Sequence, residues 1–267
     1  MKLSEIYKIA DFIAPKRLSD EYCTASGAYD NSGVLLDTGD EIVGIVCALD
    51  FTESAVDKAI ALGANLLITH HPAIYGKIGD IRVEDPLGRK IIKCIQNKIS
   101  VISMHLNLDC ATDGIDESLM QGVRLASGAK KEASGFEILH KISQGGYGKA
   151  YDVEEISFGA LVENINKEFE TERTLAYGDK DRKIRRVASF CGAGGDVESV
   201  DFAKANDADL FISSDVKHHI LIYAQEMGLA TAVLSHAAAE TYGFKKYYEK
   251  IRRAVDLPCE WHADDLL

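Results

Sequence analysis

The chain has 267 residues, 46% of them hydrophobic and 27% charged, enough to bury one large core or two modest ones. Its 30 Lys+Arg against 42 Asp+Glu leave a formal net charge of -12, which repels phosphate backbones and anionic membrane surfaces at long range and makes nucleic acid a poor default partner. No stretch approaches the roughly 20 apolar residues of a membrane span, and the start Met1-Lys2-Leu3-Ser4-Glu5-Ile6 lacks the apolar run of a secretory signal, so a cytoplasmic protein is expected. In chain order, β-branched runs predict strands over 43–49, 66–69, 100–104, 186–191, 210–213 and 231–234. Amphipathic stretches predict helices over 53–62, 88–97, 116–126, 157–169, 198–205, 217–227 and 237–253. This alternation is that of βα units feeding mostly parallel or mixed sheets flanked by helices, an α/β fold. Gly63, Asn97 and Gly228, which follow three of the helices, suit left-handed C-caps.

Sliding the chain against itself by 144 residues matches Val56 with Val200, Asp57 with Asp201, Ala59 with Ala203, Ala61 with Ala205, Ala64 with Ala208, Leu66 with Leu210 and Ile68 with Ile212. The same offset pairs Val43 with Val187 and Cys47 with Cys191. The ungapped run points to an internal duplication: two similar α/β lobes, residues 1–128 and 129–267, with a cleft between them and a C-terminal tail whose partner lobe is open. The joint falls over 128–156, where the glycines of Ser143-Gln144-Gly145-Gly146-Tyr147-Gly148 mark turns of a hairpin or linker. Six scattered cysteines without a Cys-x-x-Cys pair read as buried free thiols, Cys110 among them.

Chemistry concentrates where predicted strands stop. His70 and His71 close the strand over 66–69, Asp109 lies just past the end of the next, and His236 closes the strand over 231–234. Open α/β sheets place ligands at that carboxyl edge. Adjacent histidines point to opposite sides of an extended backbone, so one pair can serve two ions. His236 and Glu240, four apart at a helix start, share a face. One strand-end histidine is more often structural than a ligand, but five compatible groups at three strand ends reverse those odds. Imidazoles and carboxylates without thiolate suit zinc, iron, manganese or cobalt in a site left open to water, and two such ions make a hydrolytic centre. Asp50, at a strand-to-helix junction, reads first as a helix cap and second as support for a ligand. Asp215 is equivalent to His71 under the repeat and faces the same cleft. His218 and His219 open a predicted helix. His105 is open between orienting a ligand, shuttling a proton and packing.

Taken together, Tyr29-Asp30-Asn31-Ser32-Gly33, Ile68-Thr69-His70-His71-Pro72, His105-Leu106-Asn107-Leu108-Asp109, Gly192-Ala193-Gly194-Gly195, the segment Asp209 to His219 and His236 to Glu240 resemble the YbgI-type, Nif-three-like family of dinuclear metal-centre proteins, often labelled GTP cyclohydrolase 1 type 2. The resemblance runs from about residue 28 to 250 and corresponds to the short form without an inserted domain. It implies two α/β lobes around two metals held by His70, His71, Asp109, His236 and Glu240, in a ring-shaped homohexamer, a trimer of dimers. It further implies a small-molecule substrate, with hydrolytic opening of the guanine imidazole ring of GTP at C8 and release of formate, and with His105, Asp215 or His219 relaying protons. Ser235 replaces the usual glycine before the C-terminal histidine, and Ser213-Ser214-Asp215 replaces a Thr-Gly-acid motif, so the substrate is less defined than the metal set. The same centre would also serve a phosphoesterase or an amidohydrolase, and a non-catalytic, ring-forming metal-binding or partner protein is the alternative.

Overall fold

The computed structural model describes residues 1–130 and 135–264. They fall into two compact units, Met1–Ala111 with the chain from Phe244 onward, and Thr112–Gly243. The first unit contains α1 (Leu3–Ile13), α2 (Lys16–Ser26), β1 (Gly33–Leu36), β2 (Ile45–Ala48), α3 (Glu53–Leu62), β3 (Leu66–Thr69), α4 (Pro86–Gln96), β4 (Ser100–Ser103) and α5 (Leu106–Cys110), and a final strand, β11 (Cys259–His262). Its sheet runs β1-β4-β3-β2-β11, with β2, β3, β4 and β11 parallel and β1 antiparallel on the edge. Every residue of β2, β3 and β4 is buried, as a parallel strand covered on both faces requires.

Local chemistry sets the helix ends. Thr52 caps α3 by accepting from the Ala55 N–H, and Gly63 ends it at φ 66°. Gly228 also has positive φ, but Asn97 does not: it sits at φ -103°, and the left-handed residue is Lys98 at φ 57°. The Asn97 side-chain amide donates to the Lys93 carbonyl at 2.8 Å and prolongs the last turn of α4, so the chain reverses one residue later than expected.

The second unit holds α6 (Ile115–Ala126), β5 (Phe136–Lys141), β6 (Gly146–Ser157), α7 (Phe158–Glu168), β7 (Leu175–Tyr177), β8 (Lys183–Ser189), α8 (Val197–Ala205), β9 (Leu210–Ser213), α9 (His218–Glu226), β10 (Ala230–Val233) and the start of α10 (His236–Ala254). Its sheet runs β5-β6-β8-β9-β10-β7, with β8, β9 and β10 parallel and the flanking strands antiparallel. The glycine-rich segment is the turn of the β5–β6 hairpin, where Lys141 faces Gly146; positions 131–134 of the expected joint lie outside the described residues. Where the sequence suggests a break after residue 128, the structural division falls after Ala111. The reason is α6, whose Asp116 accepts from Gly148 and Lys149 and whose Ala126 carbonyl accepts from Asn164, all in the second unit. The chain from Phe244 onward belongs to the first unit, where Phe244 contacts Tyr247 and Trp261 and β11 pairs with β2.

The parallel strands β2, β3 and β4 of the first sheet and β8, β9 and β10 of the second lie in the same order, and β3 and β9 obey the 144-residue offset. The preceding strands do not: Ile45 faces Leu66 whereas Val187 faces Leu210, so the register partner of Val187 is Ile45, not Val43. The two-residue shift is even and preserves which side chains face which side. Among the described residues no helix is long and apolar enough to cross a membrane.

Candidate metal centre

The carboxyl ends of β2, β3 and β4 deliver Asp50, His70, His71, His105 and Asp109 to one edge of the first sheet. His70 is fully buried, and its Nδ1 lies 2.8 Å from the Met104 carbonyl oxygen. A carbonyl only accepts, so Nδ1 carries the proton and Nε2 keeps its lone pair. That Nε2 stands 3.6 Å from Asp109 Oδ1. His71 Nδ1 meets Asp50 Oδ1 at 2.8 Å, and His105 Nδ1 meets Asp30 Oδ1 at 2.7 Å. All three imidazoles are therefore held by an acceptor on Nδ1, the arrangement that fixes the tautomer and orientation of a metal-binding histidine. Ligand atoms of His70, His71 and His105 lie within 4.8 Å of one another.

Nothing in the local sequence Tyr29-Asp30-Asn31-Ser32-Gly33 gives Asp30 a role of its own. Burial alone would raise its carboxyl pKa. Hydrogen bonds from His105, Ser19 and Ser32, together with the His105 charge, overcome burial and hold it well below the usual carboxylate range. Burial opposes a charge on His105 as well, yet the Asp30 hydrogen bond and the nearby Asp109 raise its pKa above the ordinary histidine value. Asp50 is not the cap of α3, a role that falls to Thr52; its carboxylate orients His71 instead. A cavity of about 410 Å³ beside His71 is lined by Asp50, Thr52, Pro72 and Lys90, among others.

In the second unit the carboxyl ends of β8, β9 and β10 lead to Gly192, Asp215 and His236. His236 Nδ1 is 2.7 Å from Asp215 Oδ2, and its Nε2 is 2.9 Å from Oε2 of Glu240, one turn along α10. Glu240 is buried, with Oε1 against Gly192, whose φ is +57°; a β-carbon there would stand 2.5 Å from that oxygen. Asp215 thus orients His236 in this unit, as Asp50 orients His71 in the other. His219 lies exposed in the first turn of α9. Cys110 is buried and outside any disulfide. The donors, Nε2 of oriented imidazoles and buried carboxylate oxygens, fit borderline divalent metals.

Comparison with known proteins gives concordant matches. A family model described as Duf34/NIF3 (NGG1p interacting factor 3) matches residues 1–263. A Clostridium perfringens protein named GTP cyclohydrolase 1 type 2 homolog is 30% identical over 263 residues, covering 98% of this chain and 95% of the relative. A Campylobacter jejuni protein of the same name is 32% identical over 246 residues, 91% of this chain and 88% of the relative. The solved structure of reduced HcgD from Methanocaldococcus jannaschii superposes with a TM-score of 0.80 at 26% identity, covering 98% of this chain and 97% of that one.

Proposed function

The chain belongs to the Duf34/NIF3 family, and on that premise we propose that it is a metal-dependent hydrolase whose centre holds two divalent ions on His70, His71, Asp109, His236 and Glu240. The observation supporting this reading is that His70, His71 and His236 each present Nδ1 to an acceptor, the support that orients a histidine ligating through Nε2. Zinc, iron, manganese and cobalt all suit that donor set. When bound, such a pair supplies an acidified water and positive charge against a developing oxyanion.

The chain's own side chains supply orientation and proton transfer. Asp50 and Asp215 keep His71 and His236 in the ligating tautomer. His105, with Asp30 on Nδ1, takes or gives a proton at Nε2; the Asp30 hydrogen bond and the nearby Asp109 raise its pKa above the ordinary histidine value and so favour the protonated ring. Asp215 and His219 are the other proton-relay candidates carried from the sequence. The relatives' name brings GTP as the first substrate to try, with ring opening at C8 and release of formate, and the resemblance brings a homohexamer.

The test is to load the purified protein with each metal, count ions by elemental analysis, and assay GTP, phosphoesters and peptides. Two ions per chain and formate from GTP support the full reading. Turnover of a phosphoester or amide alone keeps the centre and replaces the reaction, and two ions without turnover of any class favour a metal-binding partner protein. Failure to retain any metal at saturating concentration removes the centre itself.

A further inference from the structure

The second unit buries an ion pair that the hydrolytic reading does not use. Asp116, on the first turn of α6, is fully buried, and Lys149 on β6 is 1% exposed. Lys149 Nζ donates to Asp116 Oδ2 at 2.8 Å and to the Gly146 carbonyl at 2.9 Å. Asp116 also accepts from the Gly148 N–H at 2.9 Å and, through Oδ1, from the Cys191 N–H at 3.0 Å. The Tyr147 hydroxyl donates to the carbonyl of the same Cys191 at 2.5 Å. Both backbone groups of Cys191 are therefore gripped from α6 and β6.

The neighbouring residue, Gly192, carries this grip to the ligands. Its missing side chain is what lets Glu240 Oε1 approach. Its carbonyl accepts from the N–H groups of Ser214 and Asp215 and from the Ser213 hydroxyl, at 3.1, 3.3 and 3.3 Å. Asp215 in turn holds His236 Nδ1. The remaining glycines of Gly192-Ala193-Gly194-Gly195 serve the same close packing: a β-carbon on Gly194 would overlap the Tyr147 hydroxyl, and one on Gly195 would stand 2.8 Å from Val216 Cγ2.

A buried ion pair is weak evidence for stability, because desolvation offsets much of the attraction, whereas its directional hydrogen bonds fix one geometry. We infer that Asp116, Lys149 and Tyr147 are positioning residues that clamp the backbone of Cys191 on both sides and, through the adjoining Gly192, set the Glu240 carboxylate and the His236 imidazole as a ligand pair. The inference rests on the metal centre proposed above.

Two variants and one control test it. Tyr147→Phe removes the hydroxyl that donates to the Cys191 carbonyl, and Asp116→Asn combined with Lys149→Met removes both charges so that neither is left buried alone. Val200→Ala, a buried truncation in α8, destabilises the same unit without touching the clamp. Cobalt(II) is the probe, with affinity measured by chelator competition and coordination geometry by the visible spectrum. Both clamp variants are expected to lose roughly 10- to 100-fold in cobalt affinity, the usual effect of removing support behind a metal ligand, with an altered spectrum, while Val200→Ala keeps both. Folded clamp variants that match the wild type, or a Val200→Ala protein that changes as they do, overturn the inference. Should the wild type bind no cobalt, the proposed centre fails, and ¹⁵N-histidine spectra of the metal-free proteins still decide the clamp. The His236 ring signals then shift in Tyr147→Phe if the inference holds and stay in place if it does not.

Discussion

Glu240 keeps only 3% exposure, yet its carboxylate lies 2.9 Å from His236 Nε2, and alanine offers no oxygen in its place. Glu240→Ala is therefore expected to lose both metals and any hydrolysis together, and elemental analysis finding two ions per chain in that variant would defeat the ligand assignment. Cys110→Ser, its control, should keep both, since the set contains no thiolate. Asp30 is tested by stability instead: its side chain is 2% exposed and serves donors from Ser19, Ser32 and His105. Asp30→Asn leaves one acceptor oxygen for these donors, so a loss of about 1–3 kcal/mol is expected in urea unfolding, and an unchanged midpoint would show that the network is idle. The ligand candidates were legible because strand-end histidines and an i,i+4 His–Glu pair are local patterns. Their supports were less so. Asp30 lies 75 residues from His105 along the chain, and Asp50 resembled a cap because a carboxylate ahead of a helix commonly is one.

Strands β2, β3 and β4 and helices α3 and α6 follow directly from apolar runs and periodicity, since continuous burial of a strand or one face of a helix leaves a local trace. The edge strands do not. β1 and β11 each have one buried residue in four, and β7 has none in three; they are strands because a partner edge accepts them. Helix α5, five residues long, is too short to show a period. The strands β2, β3 and β4 share their order with β8, β9 and β10, and the register of the first pair in each set differs by two residues from the 144-residue offset. Helix endings show how fine the missing detail is, because Asn97 and Lys98 differ by one position in which of them turns left-handed. The difference is measurable: Gly63→Ala should cost about 1 kcal/mol at φ 66°, whereas Lys98→Gly, relieving φ 57° at a residue with a β-carbon, should raise stability by about as much. Lys98 also pairs with Asp40, but that exposed contact, at 3.1 Å, contributes little. Equal midpoints for wild type and Lys98→Gly would mean that the left-handed turn carries no strain.

The net charge of -12 bears on both the proposed ring and the proposed metals. Six chains would carry 6 × -12 = -72, a repulsion that is long-ranged at low ionic strength and screened beyond about 8 Å at 0.15 M salt. Light scattering coupled to gel filtration at that salt should give six times the chain mass; a monomer there would dismiss the ring. The same surface charge complicates the metal test, because any divalent cation relieves self-repulsion and stabilises an acidic protein without a specific site. Specific binding is separable by its magnitude and by its dependence on one side chain. An ion bound only by the folded state adds about 2.7 kcal/mol at 100 times its Kd, which for a chain of this size is roughly 5–10 °C in midpoint. Glu240→Ala retains nearly all of the acidic surface and so keeps the unspecific part. Thermal unfolding with cobalt or zinc against chelator should therefore show the full rise in the wild type and only a small remainder in the variant. Equal rises in the two proteins would mean that the ions act on surface charge and that the strand-end histidines and Glu240 do not form a metal centre.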